Sequence, residues 1–154
     1  MGPVGDEGRA WYRIDAADDA AQITTARTMI EGVIQTLRES RTPPPRIVLG
    51  GFSQGGIMSI EVALRGQAHL AGVAVLSGRS LPHPEASYRA LSGLPVFASH
   101  GRNDSVIPIQ RGQAFMAQAS SAGALVERVI FEGEHAIPPV VLSGLAGWLE
   151  ALRP

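Results

Sequence analysis

Gly51-Phe52-Ser53-Gln54-Gly55 sets a serine between two glycines, the Gly-x-Ser-x-Gly spacing of a nucleophile carried on a tight turn. Such a turn strains the backbone at the serine and needs small neighbours, which Gly51, Gly55 and Gly56 supply. A serine hydroxyl attacks a carbonyl poorly unless a base takes its proton and a third group orients that base. Where the serine follows a strand and opens a helix, the chain order is serine, acid, histidine. Asp104 is the sole aspartate after Ser53, the others being Asp6, Asp15, Asp18 and Asp19. Of His69, His83, His100 and His135, only His135 lies beyond Asp104. The chemistry expected of Ser53, Asp104 and His135 is acyl transfer to serine and then to water.

Each of these roles has a competitor. His100 precedes Asp104 on the same turn and is expected to pack or hydrogen-bond at a strand end rather than act as base. Glu132 and Glu134 are too close in sequence to His135 to approach its far nitrogen easily. Asp104 in a polar turn also fits an Asx-type turn, a role compatible with orienting a histidine.

The elements that must position these residues follow from apolar spacing. Residues 1–14 are Gly-rich and read as a loop or a short extended piece. Ile23, Ala26, Ile30, Val33, Ile34 and Leu37 share one helical face, which predicts a helix over about residues 18–40 with Asp18 and Asp19 at its start. Pro43-Pro44-Pro45 stops it. Apolar runs at 47–49, 73–76 and 96–98 predict three strands, and Val126 to Phe131 is a fourth strand candidate. Helical patterns run from about Gln54 to Leu64, from Gln110 to Ala122 and from Val140 to Leu152. Runs without polar alternation fit strands covered on both faces, as in a parallel sheet flanked by helices. The expected fold is a single α/β domain over residues 1–154, with Ser53, Asp104 and His135 at the C-terminal ends of strands. The long connection from Gly78 to Leu94 lies at that same end, with room for a short helix between Glu85 and Leu91. Ile57, Met58 and Trp148 are expected in the core.

Composition narrows the function. With 13 basic and 14 acidic residues and a net charge of -1, no electrostatic footprint for nucleic acid or an anionic membrane is expected. The absence of cysteine excludes a thiolate nucleophile, a Cys-ligated zinc, an iron–sulfur cluster and a disulfide scaffold. No stretch is long enough for a membrane span, and the first ten residues lack the pattern of a signal peptide. A cytoplasmic protein is expected, with no metal or organic cofactor.

The residues resemble a known family. Gly50-Gly51-Phe52-Ser53-Gln54-Gly55-Gly56, Leu76-Ser77-Gly78, the run Val96-Phe97-Ala98-Ser99-His100-Gly101 with Asp104 and Pro108, and His135 are similar to the phospholipase/carboxylesterase family of α/β-hydrolases. Trp11-Tyr12-Arg13-Ile14 resembles the family's Trp-aromatic-Asp-aliphatic stretch, with Arg13 in place of the acid, and Glu134 stands where glycine usually precedes the histidine. The resemblance implies Ser53, Asp104 and His135 as the triad and carboxylesterase or acyl-protein thioesterase activity. The backbone N–H of Gln54 is expected as one oxyanion donor, and Trp11 and Phe52 as substrate-binding residues. Family members usually carry further N-terminal strands and a His-Gly motif that gives the second oxyanion donor. The hydrolase fold is therefore expected to be N-terminally shortened, and loss of that donor would cost on the order of 10²–10³ in turnover. A strand at 47–49 without an outer neighbour invites pairing, so closure by a homodimer or by residues 10–14 is expected. The expected substrate is a small-molecule ester with a short to medium acyl chain. The alternatives are an acyl-thioesterase and a degenerate hydrolase that binds a ligand without turnover.

Overall fold

The computed structural model describes residues 2–4, 8–11, 20–40, 46–66, 68–82 and 87–153. The chain divides into two compact units, Met1–Pro45 and Arg46–Pro154.

In the first unit, β1 (Gly2–Val4) and β2 (Gly8–Ala10) pair antiparallel, with Gly2 opposite Ala10. The expected extended piece is thus a two-stranded ribbon. Tyr12, Arg13, Ile14 and the predicted helix caps Asp18 and Asp19 lie outside the described residues. Helix α1 covers Ala20–Glu39. Ile23, Ala26 and Ile34 are buried as the spacing predicts, but Val33 is 60% and Leu37 47% exposed. Val33 sits at the flank of the buried arc, and Leu37 in the last turn beyond the buried stretch, so the covered face is narrower and shorter than the apolar pattern.

The second unit holds the expected parallel sheet of four strands, in the order β3-β4-β5-β6. Its strands are β3 (Val48–Phe52), β4 (Gly72–Leu76), β5 (Pro95–Gly101) and β6 (Leu125–Phe131). Helices α2 (Gln54–Arg65), α3 (Ile109–Ser121) and α4 (Pro139–Ala151) connect or follow them. Among the described residues of the connection from β4 to β5, Tyr88–Leu91 forms a 3₁₀ turn; Glu85, where a short helix was expected to begin, lies outside them.

Alternation along the strands divides the core into two layers. Val73, Val75, Val96 and Ala98 face Ile60 and Leu64 of α2 and Phe115, Met116 and Ala119 of α3. Ala74, Leu76 and Phe97 face the other way, toward Val141 and Trp148 of α4. Trp148 is buried, its ring 5.9 Å from that of Phe97, and Ile57 and Met58 are buried as expected. Gly72 makes room for Trp148, since a Cβ there would lie 2.9 Å from the indole. Coverage on both faces holds for β4, whose residues are all buried, and for β5 beyond its first residue. It fails for β6, a sheet edge with solvent-exposed positions.

Strand β3 runs three residues further than its apolar run. Gly50, Gly51 and Phe52 continue the ladder opposite Ala74, Val75 and Leu76. Pairing with the buried strand β4 overrides the weak strand preference of two glycines. The parallel sheet then brings the ends of β3, β5 and β6 to one edge, each followed by a loop that holds one of the chemistry-bearing residues.

Candidate active site

Ser53 is the single residue between β3 and α2, with φ 54° and ψ −116°. L-residues rarely adopt this conformation, at a cost on the order of 1–3 kcal/mol. It is held from both sides: the Ser53 N–H donates to Leu76 O at 2.8 Å, and Ser53 O accepts the Ile57 N–H at 3.0 Å. The glycines around it have separate duties. A Cβ on Gly51 would lie 2.4 Å from the carbonyl carbon of Gly55, so strand and helix can cross here only without a side chain. Gly56 and Gly78 face each other across the same crossing, where a Cβ on Gly78 would lie 3.1 Å from Gly56. Ser53 also precedes the first helical residue without capping the helix through its side chain.

Asp104 follows β5 and is buried. Its Oδ1 accepts the N–H groups of Val106 at 2.9 Å and Ile107 at 2.8 Å, the Asx-type arrangement expected of an aspartate in a polar turn. Its Oδ2 lies 2.7 Å from Nδ1 of His135, in the loop after β6. With a carboxylate as partner, Nδ1 carries the proton and Nε2 is left as the basic nitrogen. The His135 side chain is 14% exposed. Its ring lies 4.6 Å from that of Phe52, the residue directly before Ser53. Phe52 thus packs against the imidazole at the elbow.

The two loops are laced together beyond the end of the sheet. Arg102 N–H donates to Phe131 O at 2.9 Å and Asn103 N–H to Gly133 O at 2.9 Å. Gly101 allows this approach, because a Cβ there would lie 2.3 Å from Glu134 O. Gly101 enters the sequence reading only as part of the run that carries the family resemblance, with no role of its own. Glu132 pairs with Arg102 at 2.6 Å on the exposed surface and so is directed away from His135. His100 is fully buried and bonds through Nε2 to Ile107 O at 2.8 Å, the strand-end role expected for it.

Burial pushes the Asp104 carboxyl up, but the hydrogen bonds from His135 and from the Ile107 and Val106 amides outweigh it, and the group ionises below its usual range. A depressed native pKa stabilises the fold above the unfolded-state value of about 4, and that contribution is lost as pH falls through the native value. Comparing thermal midpoints of the parent and Asp104→Asn from pH 7 down to pH 3 should therefore show the parent's advantage shrinking toward the acid end. An advantage that stays constant over that range would contradict the assignment.

Gln54 opens α2, and its backbone N–H belongs to the first helical turn, at the positive end of the helix dipole. Trp11 lies in the first unit and is partly buried. A cavity of about 310 Å³ opens at the other end of the strands, lined by residues such as Val62, His69, Leu70 and Leu94, and includes none of Ser53, Asp104 and His135.

A strand–serine–helix elbow with an Asp–His pair at the same sheet edge defines an α/β-hydrolase architecture. Solved structures with this fold include esterase PE8, which is 24% identical, with a TM-score of 0.80 over 93% of this chain and 70% of that one. A profile of the phospholipase/carboxylesterase family matches residues 3–152, and the chain belongs to that family. Among curated relatives, acyl-protein thioesterase 1 of Emericella nidulans is 31% identical over 88% of this chain and 60% of its own length. Acyl-protein thioesterase 1 of Cryptococcus neoformans is 34% identical over 88% of this chain and 64% of its own length. The chain therefore spans about 60% of the length of these relatives.

Proposed function

We propose that the chain is a serine hydrolase of carboxylic esters. Ser53 Oγ attacks the acyl carbonyl while Nε2 of His135 takes its proton, and Asp104 orients and stabilises the imidazolium. The Gln54 N–H stabilises the oxyanion, the protonated His135 supplies the leaving alcohol with its proton, and water then attacks the acyl-enzyme with His135 again as base. The observation that carries this reading is the 2.7 Å Asp104–His135 bond with the Phe52 ring packed on that imidazole, next to a serine in a strained turn. No cofactor takes part in these steps. Phe52, beside both Ser53 and the His135 ring, lines the acyl site, and short to medium acyl chains are the substrates. In support of small substrates, the loops with Asp104 and His135 pass directly into α3 and α4.

Thioester hydrolysis is the second reading, favoured by the acyl-protein thioesterase names of the relatives. The same serine chemistry serves both, so a matched octanoyl oxygen ester and thioester separate them. The ester reading expects the higher kcat/KM on the oxygen ester after correction for the uncatalysed rates. A preference of tenfold or more for the thioester would favour the second reading, and no turnover of either would defeat both.

The family profile runs through both compact units, which supports treating residues 1–154 as one hydrolase domain. β3 stands at one edge of the four-stranded sheet, and pairing of that edge with a second copy is part of the same proposal. Sedimentation at micromolar concentration tests it. A cytoplasmic location is likewise proposed, and cell fractionation tests it.

A further inference from the structure

The buried histidine that the mechanism leaves unused stands directly behind the acid. His100 Nε2 lies 2.8 Å from Ile107 O and 3.3 Å from Asp104 Oδ2, and both ring and carboxylate are shut off from solvent. A carbonyl can only accept, so Nε2 carries the proton, and its positive edge also faces Oδ2. Ile107 is held at both ends of its backbone: its N–H donates to Asp104 Oδ1, and its carbonyl accepts from His100. The other ring nitrogen, Nδ1, has no hydrogen-bond partner among the described residues and is turned toward α3. There a buried glycine in the helix interior, Gly112, leaves the space the ring needs. A Cβ at 112 would lie 2.3 Å from Nδ1 and 2.8 Å from Cε1. Glycine weakens a helix interior, and at this position its lack of a side chain is what seats the imidazole.

We infer that His100, seated on Gly112, is a positioning residue for the hydrolytic reaction: it fixes the Ile107 peptide and the Asp104 carboxylate so that Oδ2 presents to His135. The chain of contacts runs from Gly112 through His100 to Ile107 and Asp104 and so to His135. It rests on the triad reading above, because its effect is exerted only through Asp104 and His135. Among the described residues, the carboxylate bonded to His135 is Asp104, while the neighbouring Glu134 is exposed and Glu132 pairs with Arg102 on the surface. His100 adds a donor behind Asp104.

The test compares His100→Asn, whose amide is too short to reach Ile107 O, with His100→Gln, whose amide reaches as far as Nε2. kcat, KM and the thermal midpoint are measured on a p-nitrophenyl ester. Misplaced supporting groups typically cost about 10- to 100-fold, so His100→Asn should lower kcat by that factor with KM unchanged, and His100→Gln should restore most of it. Wild-type kcat in a folded His100→Asn, or a His100→Gln no better than His100→Asn at equal thermal midpoint, would overturn the inference. Should His100→Asn fail to fold, Gly112→Ala replaces it, keeping the donor but denying its seat. The low-field proton resonance of the Asp104–His135 bond should then shift or vanish together with a fall in kcat. A resonance and a kcat both unchanged would overturn the inference equally. Absence of turnover and of fluorophosphonate labelling in the parent protein would instead strike the triad reading itself.

Discussion

Changing Ser53 to alanine is expected to lower kcat/KM on a short p-nitrophenyl ester by on the order of 10⁵-fold, since loss of the nucleophile closes the acyl-enzyme route. Folding should be little affected. The Ser53 side chain does not cap α2, and the backbone bonds that hold the elbow, from Ser53 N–H to Leu76 O and from Ile57 N–H to Ser53 O, do not involve the hydroxyl. Alanine has the same difficulty as serine at φ 54°, so the turn's strain is unchanged. A steady-state assay together with a thermal melt separates loss of chemistry from loss of structure. Activity within tenfold of the parent would show that the hydrolysis does not pass through residue 53.

His135→Ala should cost a similar amount, and the two changes should not add. A base without its nucleophile, or a nucleophile without its base, leaves much the same residual catalysis, so the double variant should match the weaker single variant within a few-fold. Independent contributions would instead multiply to a loss of about 10¹⁰. Removing the imidazole also leaves Phe52 without its ring partner and Asp104 Oδ2 without its donor at 2.7 Å. Some fall in thermal midpoint is therefore expected for His135→Ala and not for Ser53→Ala. Asp104 stays bonded to the Val106 and Ile107 amides, which limits that fall.

Much of the architecture can be read from the chain because short apolar runs seed most of its strands and its helices have one-sided spacing. Val73-Ala74-Val75-Leu76 becomes a strand buried on both faces, with alternate residues in opposite core layers. Local pattern fails where distant pairing decides. Gly50 and Gly51 read as a turn, yet β4 draws them into the ladder. Leu37 reads as part of a buried stripe and is left about half exposed.

The same division runs through the site. The order of Ser53, Asp104 and His135 and their places after apolar runs are properties of the chain, and the elimination that selected the acid and the histidine names the two residues the fold joins at 2.7 Å. The duties of the glycines at 101 and 112 carry no such signal. Each matters because a backbone or ring from a distant segment passes within 3 Å of where its side chain would stand. Only the folded chain brings Glu134 O to Gly101 and His100 to Gly112. The tie from His100 to Ile107 is of the same kind, since nothing in His100-Gly101-Arg102-Asn103-Asp104 tells which carbonyl the ring will meet.

Covalent labelling tests the central claim most directly. The parent protein is incubated with a fluorophosphonate, and the modified residue is located by peptide mass spectrometry; the rate is compared with that of His135→Ala. One adduct on Ser53, formed at least a hundredfold more slowly without the imidazole, is the result predicted. An adduct on a different serine, no adduct on the parent, or a rate indifferent to residue 135 would contradict it.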